Sequence, residues 1–102
     1  MPDGNEFICF LEPTRAGMVD QPTDTEAEAV EEHAAYLARL TEAGIVVLAG
    51  RTTEKPHVGI IILRAADRSA AEAIMHDDPA LRAGVFRPRL QAFRIALHQE
   101  RA

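Results

Sequence analysis

Hydrophobic and polar positions follow two periods along this chain. In residues 25–44 (TEAEAVEEHAAYLARLTEAG), Val30, Ala34, Leu37 and Leu40 recur at three- and four-residue spacing, with Glu28, Glu31, Glu32, Arg39 and Glu42 on the opposite side. This pattern predicts an amphipathic helix. Thr25 with Glu28 predicts a capping box at its start, and Gly44 a left-handed stop at its end. His33 lies three residues after Val30 and four before Leu37, so on a helix it borders the buried stripe.

Elsewhere short apolar runs predict strands. Residues 6–12 (EFICFLE) end at Pro13, and both parities are apolar: Phe7, Cys9 and Leu11 alternate with Ile8 and Phe10. Residues 45–49 (IVVLA) lie between two glycines, and residues 58–63 (VGIIIL) again have no polar face. Residues 90–98 (LQAFRIALH) predict a fourth strand with Gln91, Phe93, Ile95 and Leu97 on one face. Residues 69–76 (SAAEAIMH) predict a second helix, capped by Ser69 and burying Ala70, Ala73 and Ile74. Residues 77–84 (DDPALRAG) break it, because Pro79 disfavours helical geometry at Asp78. Residues 13–24 carry two prolines and a glycine and read as a loop, longer than most connections and of a length often found in functional segments. Residues 51–57 (RTTEKPH) read as a turn.

The order strand, helix, strand, strand, helix, strand is the split βαβ pattern of a ferredoxin-like α+β fold: a four-stranded antiparallel sheet with two helices on one face. Two helices cover one face, yet the first three strands are apolar on both. A monomer would expose a contiguous aliphatic patch, so the pattern predicts a homodimer through the helix-free sheet face.

Composition narrows the picture. The 102 residues are expected to form a single domain over 1–102, and a hydrophobic fraction of 47% excludes a disordered chain. No apolar run approaches the length of a membrane span, and the start, MPDGNE, lacks the features of a signal peptide, so no membrane partner and a cytoplasmic location are expected. A single cysteine, Cys9, permits no internal disulfide and reads as a small buried residue in its strand. A net charge of −5 argues against nucleic acid. Residues 1–34 hold nine acidic side chains against Arg15, and residues 82–102 five arginines against Glu100, an asymmetry that favours the two ends lying side by side in one sheet over a basic binding patch.

Several of these residues recur with the spacing of a known family. His33 followed by Leu37 and Leu40, Gly44, the Ala49-Gly50 pair, an isoleucine-rich third strand, and Asp78-Pro79 with Gly84 together resemble the YciI-related proteins (the YCII domain) of the dimeric α+β barrel superfamily. The resemblance runs over roughly residues 6–93. It implies a ferredoxin-like subunit, a dimer with a barrel between its sheets, and an active site built on a His–Asp pair, here His33 and Asp78. The chain departs from the family pattern at Val30, where arginine is common, at Arg51, where proline is usual, at Ala80, where an aromatic is usual, and in its longer loop before the helix. The DGPF tetrapeptide of the sigma-factor-associated subgroup is absent.

The pair has a chemical rationale of its own. A carboxylate bonded to one imidazole nitrogen fixes the tautomer and raises the basicity of the other, which can then move a proton near neutral pH. The same pair can equally be structural, with Asp78 satisfying a core-edge histidine. Arg51 and Arg15 are candidates to hold an anionic substrate by bidentate pairing, and Tyr36, three residues after His33, to donate a hydrogen bond into the same pocket. His57, His76 and His98 show no metal-ligand spacing, and neither a phosphate loop nor a covalent nucleophile is evident, so no cofactor and no metal are expected. Two functions remain open. One is a small cofactor-independent enzyme of lyase or isomerase type, in which His33 and Asp78 transfer a proton on a small molecule. The other is a non-catalytic dimeric ligand-binding or interaction module, in which the pair is a brace.

Overall fold

Local capping sets the ends of the main helix. In the computed structural model, which describes residues 5–99, helix α1 spans Asp24–Glu42. Its capping box uses Thr23 and Glu26, two residues earlier than the expected Thr25 and Glu28: Glu26 N donates to Thr23 Oγ1 and Thr23 N to Glu26 Oε1. The earlier pair prevails because Glu26 is also held by Arg15, with guanidinium contacts at 2.7 and 2.8 Å that pull its carboxyl down to about 2. At the other end Gly44 adopts φ +80°, Gly44 N donates to Thr41 O and Ile45 N to Leu40 O, closing a Schellman turn.

The remaining elements follow the expected order with shifted bounds. They are β1 (Glu6–Pro13), β2 (Val46–Arg51), β3 (Gly59–Arg64), α2 (Arg68–His76), α3 (Pro79–Arg82) and β4 (Phe86–Phe93). The N-cap of α2 is Asp67, not Ser69; its carboxylate accepts from Ala70 N, and the buried side of the helix is carried by Ala71 and Met75. The segment expected only to break α2 contains the short helix α3. Asp78 is its N-cap, Pro79 sits in the first turn, and Gly84 (φ +72°) ends it in a second Schellman turn through Leu81 O and Ala80 O.

The fourth strand starts four residues before its expected bound and stops at Phe93. Pro88 is tolerated because β4 lies at the sheet edge, in the order β2-β3-β1-β4. The strand stops there because the register pairs Phe93 with Glu6, the first residue of β1, so Ile95 and Leu97 find no ladder partner among the described residues; Leu97 is 95% exposed. Neighbouring strands all run antiparallel. β1 and β4 place the acidic and basic ends of the chain side by side, with Glu12 opposite Arg87.

The two faces of the sheet differ. Phe7, Cys9 and Leu11 of β1, Val46 of β2 and Ile61 and Leu63 of β3 are buried on the helix side with Ala71 and Met75. The opposite face carries Ile8, Phe10, Leu48, Ile60 and Ile62, joined by the cross-strand pairs Ile8–Ile62, Ile62–Leu48 and Phe10–Ile60. Leu48 there is 49% exposed, and the Arg89 guanidinium stacks over Phe10 at 4.3 Å. Among the described residues no helix is long and apolar enough to cross a membrane.

Cys9 lies wholly in the helix-side core, where desolvation pushes its thiol up to about 11 from 9.0. The native thiol is therefore expected to resist iodoacetamide at pH 8 and to react only as the chain unfolds; labelling within minutes in native buffer would contradict the packing. The unfolded chain releases this proton first, so the group's contribution to stability falls as pH rises from about 9 to about 11.

Candidate functional site

The Asp-Pro step explains how a carboxylate reaches the interior. Preceding a proline, Asp78 takes an extended conformation (φ −66°, ψ 126°), which turns its side chain back over the start of α3. Its Oδ1 accepts from Ala80 N at 2.9 Å, and its Oδ2 lies 2.6 Å from Nδ1 of His33. Helix α1 packs on α3, which brings together two residues 45 positions apart. Asp78 is 0% exposed and is the one buried charged side chain among the described residues. Both of its oxygens are thus satisfied by N–H groups.

His33 is the other half of the pair, with its side chain 15% exposed and its ring tilted against Phe86 at a centroid distance of 5.3 Å. Because the carboxylate can only accept when ionised, Nδ1 carries the proton and Nε2 the lone pair in the neutral ring. No buried side-chain nitrogen or oxygen among the described residues lacks a partner, so Nε2, which has none, is accessible.

His33 lines a cavity of about 550 Å³ between α1, the ends of β2 and β3, and the loop of residues 14–23. Its walls are chiefly aliphatic, among them Leu11, Met18, Val30, Leu37, Val58 and Ile61. The side chains that bring charge or hydrogen-bonding capacity to it are His33, Arg51 and His57. The long loop forms one wall. Met18 is buried against Ala29, Ala80 and Val85, and the loop base is tied down by Thr14, whose hydroxyl donates to Gly84 O at 2.6 Å, and by Arg15, which donates to the carbonyls of Ala16 and Gln21 as well as to Glu26.

The five candidate residues separate into two groups. His33, Asp78 and Arg51 meet at or beside the cavity, and Arg51 has no hydrogen-bond or ion-pair contact among the described residues. Arg15 and Tyr36 do not line it. Arg15 is occupied by Glu26 and borders a neighbouring cleft, and the Tyr36 hydroxyl donates to Ile74 O at 2.6 Å, linking α1 to α2. Burial, then the charges of Asp77 and Asp78, raise the Tyr36 phenol above its ordinary value. His57, considered from the sequence only as a metal ligand and set aside for want of spacing, also lines the cavity. No group of three or more potential metal-binding His, Cys, Asp or Glu side chains occurs among the described residues.

A search of curated proteins finds no match. Among solved structures, 5-chloro-2-hydroxyhydroquinone dehydrochlorinase (TftG) from Burkholderia phenoliruptrix, in complex with 2,5-dihydroxybenzoquinone, superposes with a TM-score of 0.66 at 16% identity, covering 86% of this chain and 93% of that one. At this identity the likeness speaks to fold alone: an α+β subunit with a four-stranded antiparallel sheet. A model of the YCII-related domain matches residues 7–90, from β1 through most of β4 and including both halves of the His–Asp pair. By that match the chain belongs to the YCII-related family.

Proposed function

We propose that this protein is a small cofactor-independent enzyme of lyase or isomerase type, in which His33, held by Asp78, transfers a proton on a small ring compound. The observation that carries the reading is the 2.6 Å contact from Nδ1 to a wholly buried carboxylate, which leaves Nε2 to a chiefly aliphatic cavity. In the proposed step Nε2 takes a proton from a C–H or O–H group of the substrate. The electron pair left behind forms a new double bond, and either a leaving group departs with its own pair or the proton returns at another atom. The imidazolium formed at His33 is stabilised by the Asp78 carboxylate, which keeps its own bonds throughout. Arg51 pairs with negative charge on the substrate. The dehydrochlorinase of like fold is named for a chlorinated hydroxyhydroquinone and was solved with a dihydroxybenzoquinone, which supports hydroxylated or quinonoid rings as the compounds to try.

The proposed working unit is a homodimer through the open sheet face, supported by the row of Ile8, Phe10, Leu48, Ile60 and Ile62.

The reading is tested by screening small quinols, phenols and ring acids for turnover with and without His33→Ala. A substrate whose conversion falls by about 10³-fold or more in the variant is expected. Turnover that survives the loss of the imidazole would remove His33 from the chemistry.

A further inference from the structure

Basic side chains gather around one carboxylate beside the cavity. Asp20, near the tip of loop 14–23, pairs through Oδ2 with Lys55 Nζ at 2.9 Å, and its Oδ1 lies 3.8 Å from His57 Nε2. Its carboxyl is held below the usual range first by Lys55, with His57 and Arg51 adding to the effect. Arg51 ends β2, and Lys55 and His57 lie in the turn between β2 and β3, so one hairpin end supplies all three bases while another segment supplies the acid. Arg51 and His57 also line the cavity that holds His33. Asp20 does not; it borders the adjoining cleft, which shares Pro13, Met18, Val19 and His57 with the cavity.

We infer that Arg51, Lys55 and His57 form an anion subsite beside the cavity, selecting small ring compounds that carry a carboxylate or phenolate, and that Asp20 competes for this subsite as an internal anion. The inference rests on the cavity being the ligand site proposed above. The aliphatic walls offer a ring favourable burial but nothing to offset a charge, so an anionic substituent is accommodated only where cations converge. His57 is oriented for this. Its Nδ1–H donates to Thr52 O at 3.2 Å, so any second proton goes to Nε2, the atom turned toward Asp20. Arg51 supplies a planar fork suited to a carboxylate; its guanidinium makes no hydrogen bond or ion pair among the described residues and acts on Asp20 through charge alone.

Asp20 is well suited to yield. It and Lys55 are both substantially exposed, and an exposed ion pair is a weak tie. The backbone on either side of Asp20 is held independently, by the Arg15 bond to Gln21 O and by the burial of Met18, so release from Lys55 requires only that the Asp20 side chain swing away. Val19, beside Asp20, forms part of the cavity wall, which couples occupation of the subsite to access.

The test titrates two probes of similar size, benzoate and benzyl alcohol, into the full chain and its variants, followed by NMR. Asp20→Ala is expected to tighten benzoate by about five-fold or more and to leave benzyl alcohol within about two-fold, the gain shrinking as salt is raised. Asp20→Asn should act like Asp20→Ala, since charge and not shape is the competitor. Lys55→Met and Arg51→Met should weaken benzoate alone. Equal benzoate affinity in native protein and both Asp20 variants, or a parallel gain for benzyl alcohol, overturns the subsite and leaves the role of His33 untouched. An effect of Asp20→Ala that Asp20→Asn lacks overturns it as well, because loop shape would then be the cause. Failure of either probe to bind any variant overturns both the subsite and the ligand cavity. His33→Ala, which tests the chemistry, is expected to leave the benzoate response to Asp20 unchanged.

Discussion

Asp78→Asn is expected to lower turnover by about 10² to 10⁴-fold while leaving the protein folded. The argument turns on counting acceptors. The carboxylate serves two N–H groups at once, Ala80 N through Oδ1 and His33 Nδ1 through Oδ2. An amide has one acceptor oxygen, so it can serve only one of them. If the oxygen keeps capping α3, the NH₂ group faces Nδ1, the imidazole proton moves to Nε2, and the base is blocked in the wrong tautomer. If the oxygen stays with His33, the cap of α3 is lost at a cost of about 1 kcal/mol. Asp78→Ala removes both bonds and leaves a buried imidazole N–H unmatched, for a loss of about 2–4 kcal/mol. Urea melts of the two variants beside a turnover assay separate the roles. An asparagine variant with full activity would sink the proton-transfer mechanism. If ligand response in both variants simply follows the folded fraction, the pair is a brace and the protein a binding module.

Ile62→Asp is expected to dissociate the proposed dimer without unfolding the subunit. Ile62 sits between Ile8 and Leu48 on the open face, on the opposite side of β3 from the buried Ile61 and Leu63. A carboxylate there faces solvent in a monomer, so the helix-side core is undisturbed. In a face-to-face dimer it would be buried without a partner on each subunit, at a cost of several kcal/mol, which corresponds to at least about 10³-fold weaker association. Sedimentation at micromolar concentration reads this directly. A native protein that already sediments as a monomer, or a variant that still pairs, would refute the sheet-to-sheet assembly.

How much of this was legible in the residues varies from element to element. The main helix was, because its apolar stripe, Val30 to Leu40, repeats over about three turns and Gly44 takes the left-handed conformation at its end. The capping box was displaced because Thr23-Glu26 and Thr25-Glu28 have the same spacing, and only Arg15, folded back from the loop, distinguishes them. The fourth strand was expected four residues too late, since Pro88 within it is admitted only because β4 lies at an edge, which the chain alone does not show. Asp78 was found as a turn residue of the Asp-Pro step and through the family resemblance. Its role as a cap, which orients the carboxylate, could not be seen without α3. Tyr36 was placed near His33 by helical spacing alone, but spacing does not say which side of His33 faces the cavity, and the phenol turns to α2.

The sequence by itself determined the element order, the α+β class, the two apolar faces of the sheet and the histidine at the edge of the buried stripe. These follow from short-range periodicity and from the backbone preferences of proline and glycine. Tertiary structure alone decided which polar groups meet. His33 and Asp78 are joined by α1 packing on α3, while Asp20 reaches Lys55 and His57 because the long loop folds onto the β2–β3 turn. Such meetings depend on contacts between segments far apart in the chain, and no local pattern of residues encodes which of several charged side chains will share a cavity.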